Sequence, residues 1–429
     1  MTLEATRQKG KIHYAWWILV AISIIVGIGK GVLNNTAGLF LSPVSQDLGI
    51  GMGTLSLYFS ISAVATMIFL PIGGKLMAKY DPRQIIVGAI ILQAGSFALF
   101  GLMSSVWGWY LLAVPLSTGG TVIGVIVGPV LINQWFRKKN GLALGVLSAA
   151  GGLFGAIAQP VVAKLIANSG WQTAYITVGV ASMAIVIPVA LVLLKRSPEA
   201  HGVQPFGADE VITGEPAQTQ GAKQDGIEVA VARKSVPFYM LVTFFFFVTS
   251  ISSFSMHIPK HLENIGYDIE FAGSVMSKYM LGVLFGSLVL GYLVDVLNAK
   301  RTAILTMSLG MLAIGLIIYT TSNTLVISLA VALFGLISAS IGIVAPALVT
   351  ALFGKRDYAQ VYSTASMGLA ISSIVAIPAY GFIYDITKSY VPVLWAIIAM
   401  LALNIVCVLI AFANQKKMVS RGLWIKENA

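Results

Sequence analysis

The sequence predicts an all-α membrane protein: twelve transmembrane helices in two pseudo-symmetric six-helix bundles. Three observations predict it. The chain is too apolar for a water-facing surface, with 57% hydrophobic and only 10% charged residues among 429 and a mean hydropathy of +0.88. Soluble domains carry about a quarter charged residues, because water must solvate their outside. The apolar residues form a succession of runs, each near the ~20 residues that cross ~30 Å of hydrocarbon. Lys and Arg gather on alternate connections, as they do on the cytoplasmic side of inserted proteins.

Taken in order, the runs predict spans over 14–38, 54–78, 84–104, 108–133, 141–166 and 171–194. The second set is 237–258, 271–295, 301–321, 324–351, 359–383 and 391–413. The run from Tyr14 is too long for a signal-peptide core and lacks a small-residue cleavage site, so it is expected to stay as span 1. With both termini inside, cytoplasmic connections hold every basic residue except Lys30, Lys164, Lys260, Lys278 and Lys388. The net charge of +11 is then topological, and nucleic-acid binding is not expected. The expected location is the cell inner membrane, with the lipid bilayer as surroundings and a monomer as the sufficient unit.

Residues 197–235 interrupt the apolar pattern with Pro198, Pro205, Pro216 and scattered charges. They read as a flexible polar linker between an N-terminal bundle, 1–196, and a C-terminal bundle, 236–429. The halves echo each other. Gly74-Lys75-Leu76-Met77-Ala78-Lys79-Tyr80-Asp81-Pro82-Arg83 follows span 2, and Gly291-Tyr292-Leu293-Val294-Asp295-Val296-Leu297-Asn298-Ala299-Lys300 follows span 8. Duplicated halves place a substrate site at their interface near mid-membrane.

These loops resemble the signature loop of the major facilitator superfamily, G-x-L-x-D-[RK]-x-G-[RK]. Its aspartate is kept as Asp295 but is Ala78 in the first half. The resemblance implies conformational latching, not substrate binding, for Asp295 and the basic loop ends, with Asp81 and Arg83 as the gating candidates of the first half. Residues Trp135-Phe136-Arg137-Lys138-Lys139-Asn140-Gly141-Leu142-Ala143-Leu144-Gly145 are similar to the span-5 signature of monocarboxylate transporters and bacterial oxalate–formate antiporters. Tyr14-Ala15-Trp16-Trp17, Asp81-Pro82-Arg83 and Gly170-Trp171 point the same way. That implies proton-linked uptake or exchange of small carboxylates. The group's arginine in span 8, expected near Ser287, and the oxalate carriers' lysine in 359–383 are both missing.

Ionisable residues inside a span are costly and mark functional candidates. No acidic residue lies deep in a predicted span, which disfavours cation export. Lys30 and Lys278, one from each half, are the deep bases. At about 1.5 Å per residue each falls roughly 5–8 Å outward of its span's midpoint. Ser23, Gly27, Lys30 and Asn34 share one helical face, and Tyr279 adjoins Lys278. Two ammonium groups facing a wet cavity would attract a carboxylate, so Lys30 and Lys278 are the candidate anion-binding pair. The alternative for each is snorkelling, with the stem in lipid and the charge among headgroups.

Ser253 and His257 on span 7 are candidate ligands, and His257, with an ordinary pKa of ~6.5, is also a candidate for a coupling proton. A lone histidine near a helix end is more often a hydrogen-bonding residue with no such duty. Asn35, Gln159 and Tyr362 are further cavity candidates. No nucleophile–base pair, nucleotide loop or metal-ligand cluster is present, so neither an enzyme nor a cofactor is expected, and the single Cys407 excludes an intramolecular disulfide. The expected function is alternating-access transport of a small organic anion, with a proton or a counter-anion as the coupled partner. A carrier of a neutral or zwitterionic solute is the alternative, and a transporter-like sensor a remote one.

Overall fold

The structure, a computed structural model, describes residues 13–195, 197–198, 202–207, 226–320 and 322–424. The basic residues Arg7, Lys9, Lys11, Arg196, Lys223 and Lys426, and Pro216, lie outside the described residues.

Ten helical stretches among the described residues are long and apolar enough to cross a membrane. Two of them contain two crossings each. Asn140–Leu193 breaks at Gly170 (φ 78°, ψ 162°), and Ile269–Tyr319 breaks at Asn298 (φ 73°, ψ 161°). Positive φ costs glycine little, while Asn298 holds a conformation that residues with a side chain rarely adopt, and each break reverses the chain without a loop. The result is twelve spans. Span 1 is Tyr14–Leu48, span 2 Met52–Lys79, span 3 Pro82–Phe100 and span 4 Val106–Trp135. Spans 5 and 6 are 140–169 and 171–193, and span 7 is Val236–Met256. Spans 8 and 9 are 269–297 and 299–319. Span 10 is Thr324–Phe353, span 11 Tyr358–Thr387 and span 12 Val391–Ser420.

Several ends differ from the sequence expectation, span 12 running to Ser420 and not 413, and two of them bear on the site. Span 1 runs on to Leu48, because Ala37, Leu39, Phe40, Leu41 and Val44 remain buried beyond its polar middle. Its helical hydrogen bonding also changes there. From Gly27 to Asn34 the helix is a π-helix, so Asn35 N–H reaches back to the Lys30 carbonyl at 3.1 Å. Span 7 ends in a single 3₁₀ turn, Phe254–Met256. A short helix, Ile258–Asn264, then starts with Pro259 in its first turn, where a missing N–H is harmless.

Buried apolar side chains form two cores, one drawn from Ala15 to Leu194 and one from Ile227 to Met418, joined by Ala156 of span 5. The linker's described ends are docked. Phe206 N–H donates to the Trp135 carbonyl at 2.8 Å and Arg137 N–H to the Phe206 carbonyl at 2.9 Å. At the other end Ile227 N–H donates to the Phe353 carbonyl at 2.9 Å, and Val229 N–H to the Asp357 carboxylate at 2.8 Å. The apolar Phe206 stacks edge-on against His13 and Trp16, and Ile227 is fully buried. Each linker end therefore adheres to its own half.

The halves meet on the face opposite the linker. There Ser42 bonds Glu263, Ser60 bonds the Ile374 carbonyl, and Gly38 approaches the Met256 backbone. Towards the linker, spans 2, 5, 8 and 11 carry exposed apolar side chains such as Ile68, Leu142, Leu288 and Met367. Among the described residues these contacts between the halves gather at the far face, while those side chains near the linker ends of the spans stay uncovered.

Candidate functional site

The centre of the molecule is built around the π-helical part of span 1. Glycines allow it. Methyl groups on Gly31 would lie 2.7 Å from the Gly151 carbonyl oxygen and 2.9 Å from the Gly155 nitrogen, and a methyl on Gly29 would meet Ile123 at 2.5 Å. Span 1 therefore meets the backbone of span 5 and the Ile123 side chain of span 4, as small residues permit in membranes. Ile123 itself lies in a second π-helical stretch, Val122–Ile126.

A widened helix misaligns some carbonyls, and in lipid each must find a donor. Gln93 of span 3 gives its amide N–H to the Gly29 carbonyl at 2.8 Å and to Asn34 Oδ1 at 3.2 Å. Gln159 of span 5 donates to the Asn35 carbonyl at 2.7 Å, while Leu39 N–H turns to Thr36 instead. Both glutamines are fully buried, and the Oε1 of each has no partner. Sequence reasoning missed Gln93, although its signal was visible as a lone amide within the apolar run of span 3.

Lys30 and Asn34, one turn apart, are exposed in the middle of this packed assembly. Because span 1 ends at Leu48, Lys30 sits at the span's centre and not several ångströms outward. Its stem crosses Gly151, where a methyl would touch Cδ at 3.7 Å. Gly27, Gly29 and Gly31 pack against spans 3, 4 and 5, and Lys30 and Asn34 are left uncovered between them. Asn35 is half-buried beside them, its Nδ2 3.4 Å from the Met280 sulfur of span 8, and it joins the first half to the second. Every described carboxylate (Asp47, Asp81, Glu228, Glu263, Asp268, Glu270, Asp295, Asp357 and Asp385) lies at or near a helix end or turn, away from Lys30.

The other sequence candidates are dispersed. Lys278 is half-buried and donates to Ser328 of span 10 at 2.8 Å, so its charge is turned along the second half. Its neighbour Ser277 bonds the Ala156 carbonyl of span 5 at 2.6 Å. Tyr279 is buried against Phe334 and bonds Ser338, which also meets Ser252. Ser253 bonds the Thr249 carbonyl of its own helix at 2.8 Å. His257 is fully buried with both ring nitrogens engaged, by Tyr390 Oη and the Ile377 carbonyl, each at 2.8 Å. Tyr362 lies toward the linker side, stacked on Tyr358 with centroids 5.7 Å apart and edge-on to Phe245.

The loop candidates lie at the linker face. Asp81 caps span 3, accepting from Arg83 N–H at 2.9 Å. Arg83 is half-buried, with an unpartnered Nε, and Asp295 is exposed. A cavity of about 500 Å³ opens between spans 2 and 4 beside Ser60, Val64, Ile68, Phe69, Val114 and Thr118. It is apolar and distinct from the Lys30 surroundings. No group of His, Cys, Asp and Glu suited to a metal occurs among the described residues.

The model of the Major Facilitator Superfamily matches residues 19–277 and 261–422, essentially the whole transmembrane part. The chain belongs to the Major Facilitator Superfamily. Within the superfamily it is 26% identical to the oxalate:formate antiporter of Oxalobacter formigenes over 205 residues, 47% of each chain. It is 22% identical to monocarboxylate transporter 13 of Rattus norvegicus over 379 residues, 88% of this chain and 84% of the relative. The chain spans about half the length of the antiporter and of several other curated relatives it matches. Among solved structures, the nucleoside transporter NupG superposes with a TM-score of 0.69 at 11% identity, covering 95% of this chain and 99% of the other. A bacterial homologue of the lysosomal transporter Spinster superposes at 0.66 with 13% identity, covering 96% and 99%. These likenesses establish the fold. The named relatives are transporters and not enzymes.

Proposed function

We propose that this superfamily member is a secondary transporter of a small organic anion, most simply a monocarboxylate, working by alternating access. The observation that carries the reading is Lys30, an exposed ammonium at the middle of span 1 with no carboxylate beside it among the described residues. In a low-dielectric vestibule such a charge attracts an anion far more strongly than it would in water. Asn34 supplies an adjacent amide. The names of the oxalate:formate antiporter and monocarboxylate transporter 13 support a carboxylate. An anion that neutralises Lys30 on both journeys favours exchange against a counter-anion, with proton symport as the other coupling.

Lys30 is the principal anion ligand in this reading, with Asn34, Asn35 and Gln159 around it. Lys278 and Tyr279 belong to the second wall, with Ser253 and Tyr362. His257 holds spans 7 and 11 together, and Asp295, Arg83 and Asp81 act at the linker-side gate. That gate faces the cytoplasm, both termini are cytoplasmic in the inner membrane, and the working unit is a monomer organised as 1–196, linker 197–235 and 236–429. The four amides Asn34, Asn35, Gln93 and Gln159 favour a second reading, a neutral or zwitterionic solute.

The test is uptake of labelled carboxylates into liposomes by the parent and Lys30→Ala, with and without a pH gradient or internal anion. Saturable uptake lost in Lys30→Ala supports the anion site, and dependence on internal anion identifies exchange. Carboxylate uptake indifferent to Lys30, or none at all beside uptake of a neutral amino acid or sugar, replaces it with the second reading.

A further inference from the structure

We propose that Asp385 is the latch that holds the far face shut, a gating residue that acts by capping span 2 from the opposite half. Span 2 starts Gly49-Ile50-Gly51-Met52-Gly53, and its capping position, Gly51, has no side chain to accept the free N–H groups. Four N–H groups at a helix start lack internal partners, and in most helices a Ser, Thr, Asp or Asn next to them serves. Here the acceptor comes from span 11. The Asp385 carboxylate takes Met52 N–H on Oδ1 and Gly53 N–H on Oδ2, each at 2.8 Å.

The surrounding sequence is fitted to this contact. A methyl on Gly51 would lie 2.7 Å from Asp385 Oδ2, and methyl groups on Gly53 and Gly381 would run into Phe382 and into the Gly53 backbone. The equivalent helix of the second half is served differently. Span 8 is capped by its own Asp268, which accepts Phe271 N–H at 2.7 Å, so its start is satisfied in any arrangement of the halves. Span 2 is satisfied only while the far face is closed. Asp295, the signature-loop carboxylate at the other face, is exposed in this same state. A negative charge on two N–H groups of a helix start, where the helix dipole also favours it, makes a strong pair, and separating the halves must break it.

This rests on the alternating-access reading, but its test requires no substrate. In full-length protein with Cys407→Ser, a single reporter Ser42→Cys, which is 1% exposed at the far interface, is labelled in proteoliposomes by a membrane-impermeant maleimide. Losing a cap of this kind is expected to raise the open-to-closed ratio, and with it the labelling rate, by about tenfold in Asp385→Ala. The exposed Leu102→Cys serves as control and keeps its rate. In Asp385→Ala the further change Gly51→Ser gives span 2 a cap of its own. The proposal expects it to restore thermal stability while labelling stays fast. An unchanged Ser42→Cys rate in Asp385→Ala overturns the latch, as does Gly51→Ser returning labelling to the parent rate, since Asp385 would then serve span 2 alone. Should Asp385→Ala fail to fold, Asp385→Asn, which retains one acceptor, is read against the same two outcomes.

Discussion

Gln159 donates its side-chain amide to the Asn35 backbone carbonyl at 2.7 Å, at the point where the π-helical part of span 1 gives way to its last turns. A residue of span 5 thereby replaces a hydrogen bond that the span-1 backbone no longer makes. The site and its scaffold are the same construction: the irregular backbone that presents Lys30 exists because two buried glutamines and a set of glycines accommodate it.

Replacing Gln159 by Leu removes that donor and strands the carbonyl. A buried unsatisfied acceptor costs about 1–3 kcal/mol, so the purified protein is expected to melt several degrees lower. Transport should fall with it, because Lys30 loses its fixed backbone. An unchanged melting temperature in a detergent-solubilised thermal-shift assay would show that the bond carries no weight.

Gly31→Ala is expected to be severe for so small a change. The added methyl meets the Gly151 carbonyl oxygen and the Gly155 nitrogen below 3 Å, and backbone cannot rotate away as a side chain can. Overpacking of this kind costs about 1–3 kcal/mol. Gly124→Ala, in open space on the neighbouring span 4, is the matched control. Thermal melting and substrate uptake of the two variants should diverge.

The two lysines are expected to behave unequally. Lys30→Ala should abolish anion uptake with little loss of stability, because its charge makes no ion pair among the described residues. Lys278→Ala should leave a measurable uptake and mainly lower stability, since its Nζ bonds the buried Ser328; a lost bond to a charged group is worth about 1.5–3 kcal/mol. Equal loss of transport in both variants, with equal melting temperatures, would restore the paired-lysine site.

His261, in the short far-face helix Ile258–Asn264, is buried with an unpartnered Nε2, and burial pushes its pKa down to about 4 from 6.5. The unfolded state therefore binds more protons between those values, and folded stability falls as pH drops through that window. The loss from this group approaches ~3 kcal/mol at the acid end, at 1.36 kcal/mol per pH unit. His261→Phe, set between Phe254 and Tyr390, should flatten the melting-temperature profile between pH 6.5 and 4. Parallel profiles for parent and variant would remove His261 as a source of acid sensitivity.

Much of the fold was legible because the bilayer imposes a coarse rule. Span 3 was read as 84–104 and is Pro82–Phe100, and span 10 was read as 324–351 and is Thr324–Phe353. The candidate site was legible only in part. Lys30 and Asn34 stood out as polar groups on one helical face, and Gln159 as an amide within span 5. Gln93 showed only as a lone amide in span 3, and it gains meaning when its distance to Gly29 is known. Lys278 looked equivalent to Lys30 in depth and chemistry, and the continuation of span 1 to Leu48 together with the position of Ser328 distinguishes them. The docked ends of the linker were likewise illegible, since the pairing of Phe206 with Trp135 joins residues far apart in sequence.

The sequence by itself determined the number of spans, most of their limits to within a few residues, and the division into two halves. Those properties follow from the local free energy of moving each segment into hydrocarbon, which composition sums residue by residue. Tertiary structure alone decided which carbonyls of span 1 are freed, that Gln93 and Gln159 receive them, and that Asp385 caps a helix of the other half. Each of these is a hydrogen bond of definite direction and about 3 Å reach, and such a bond depends on where two distant segments stand, which no single segment encodes.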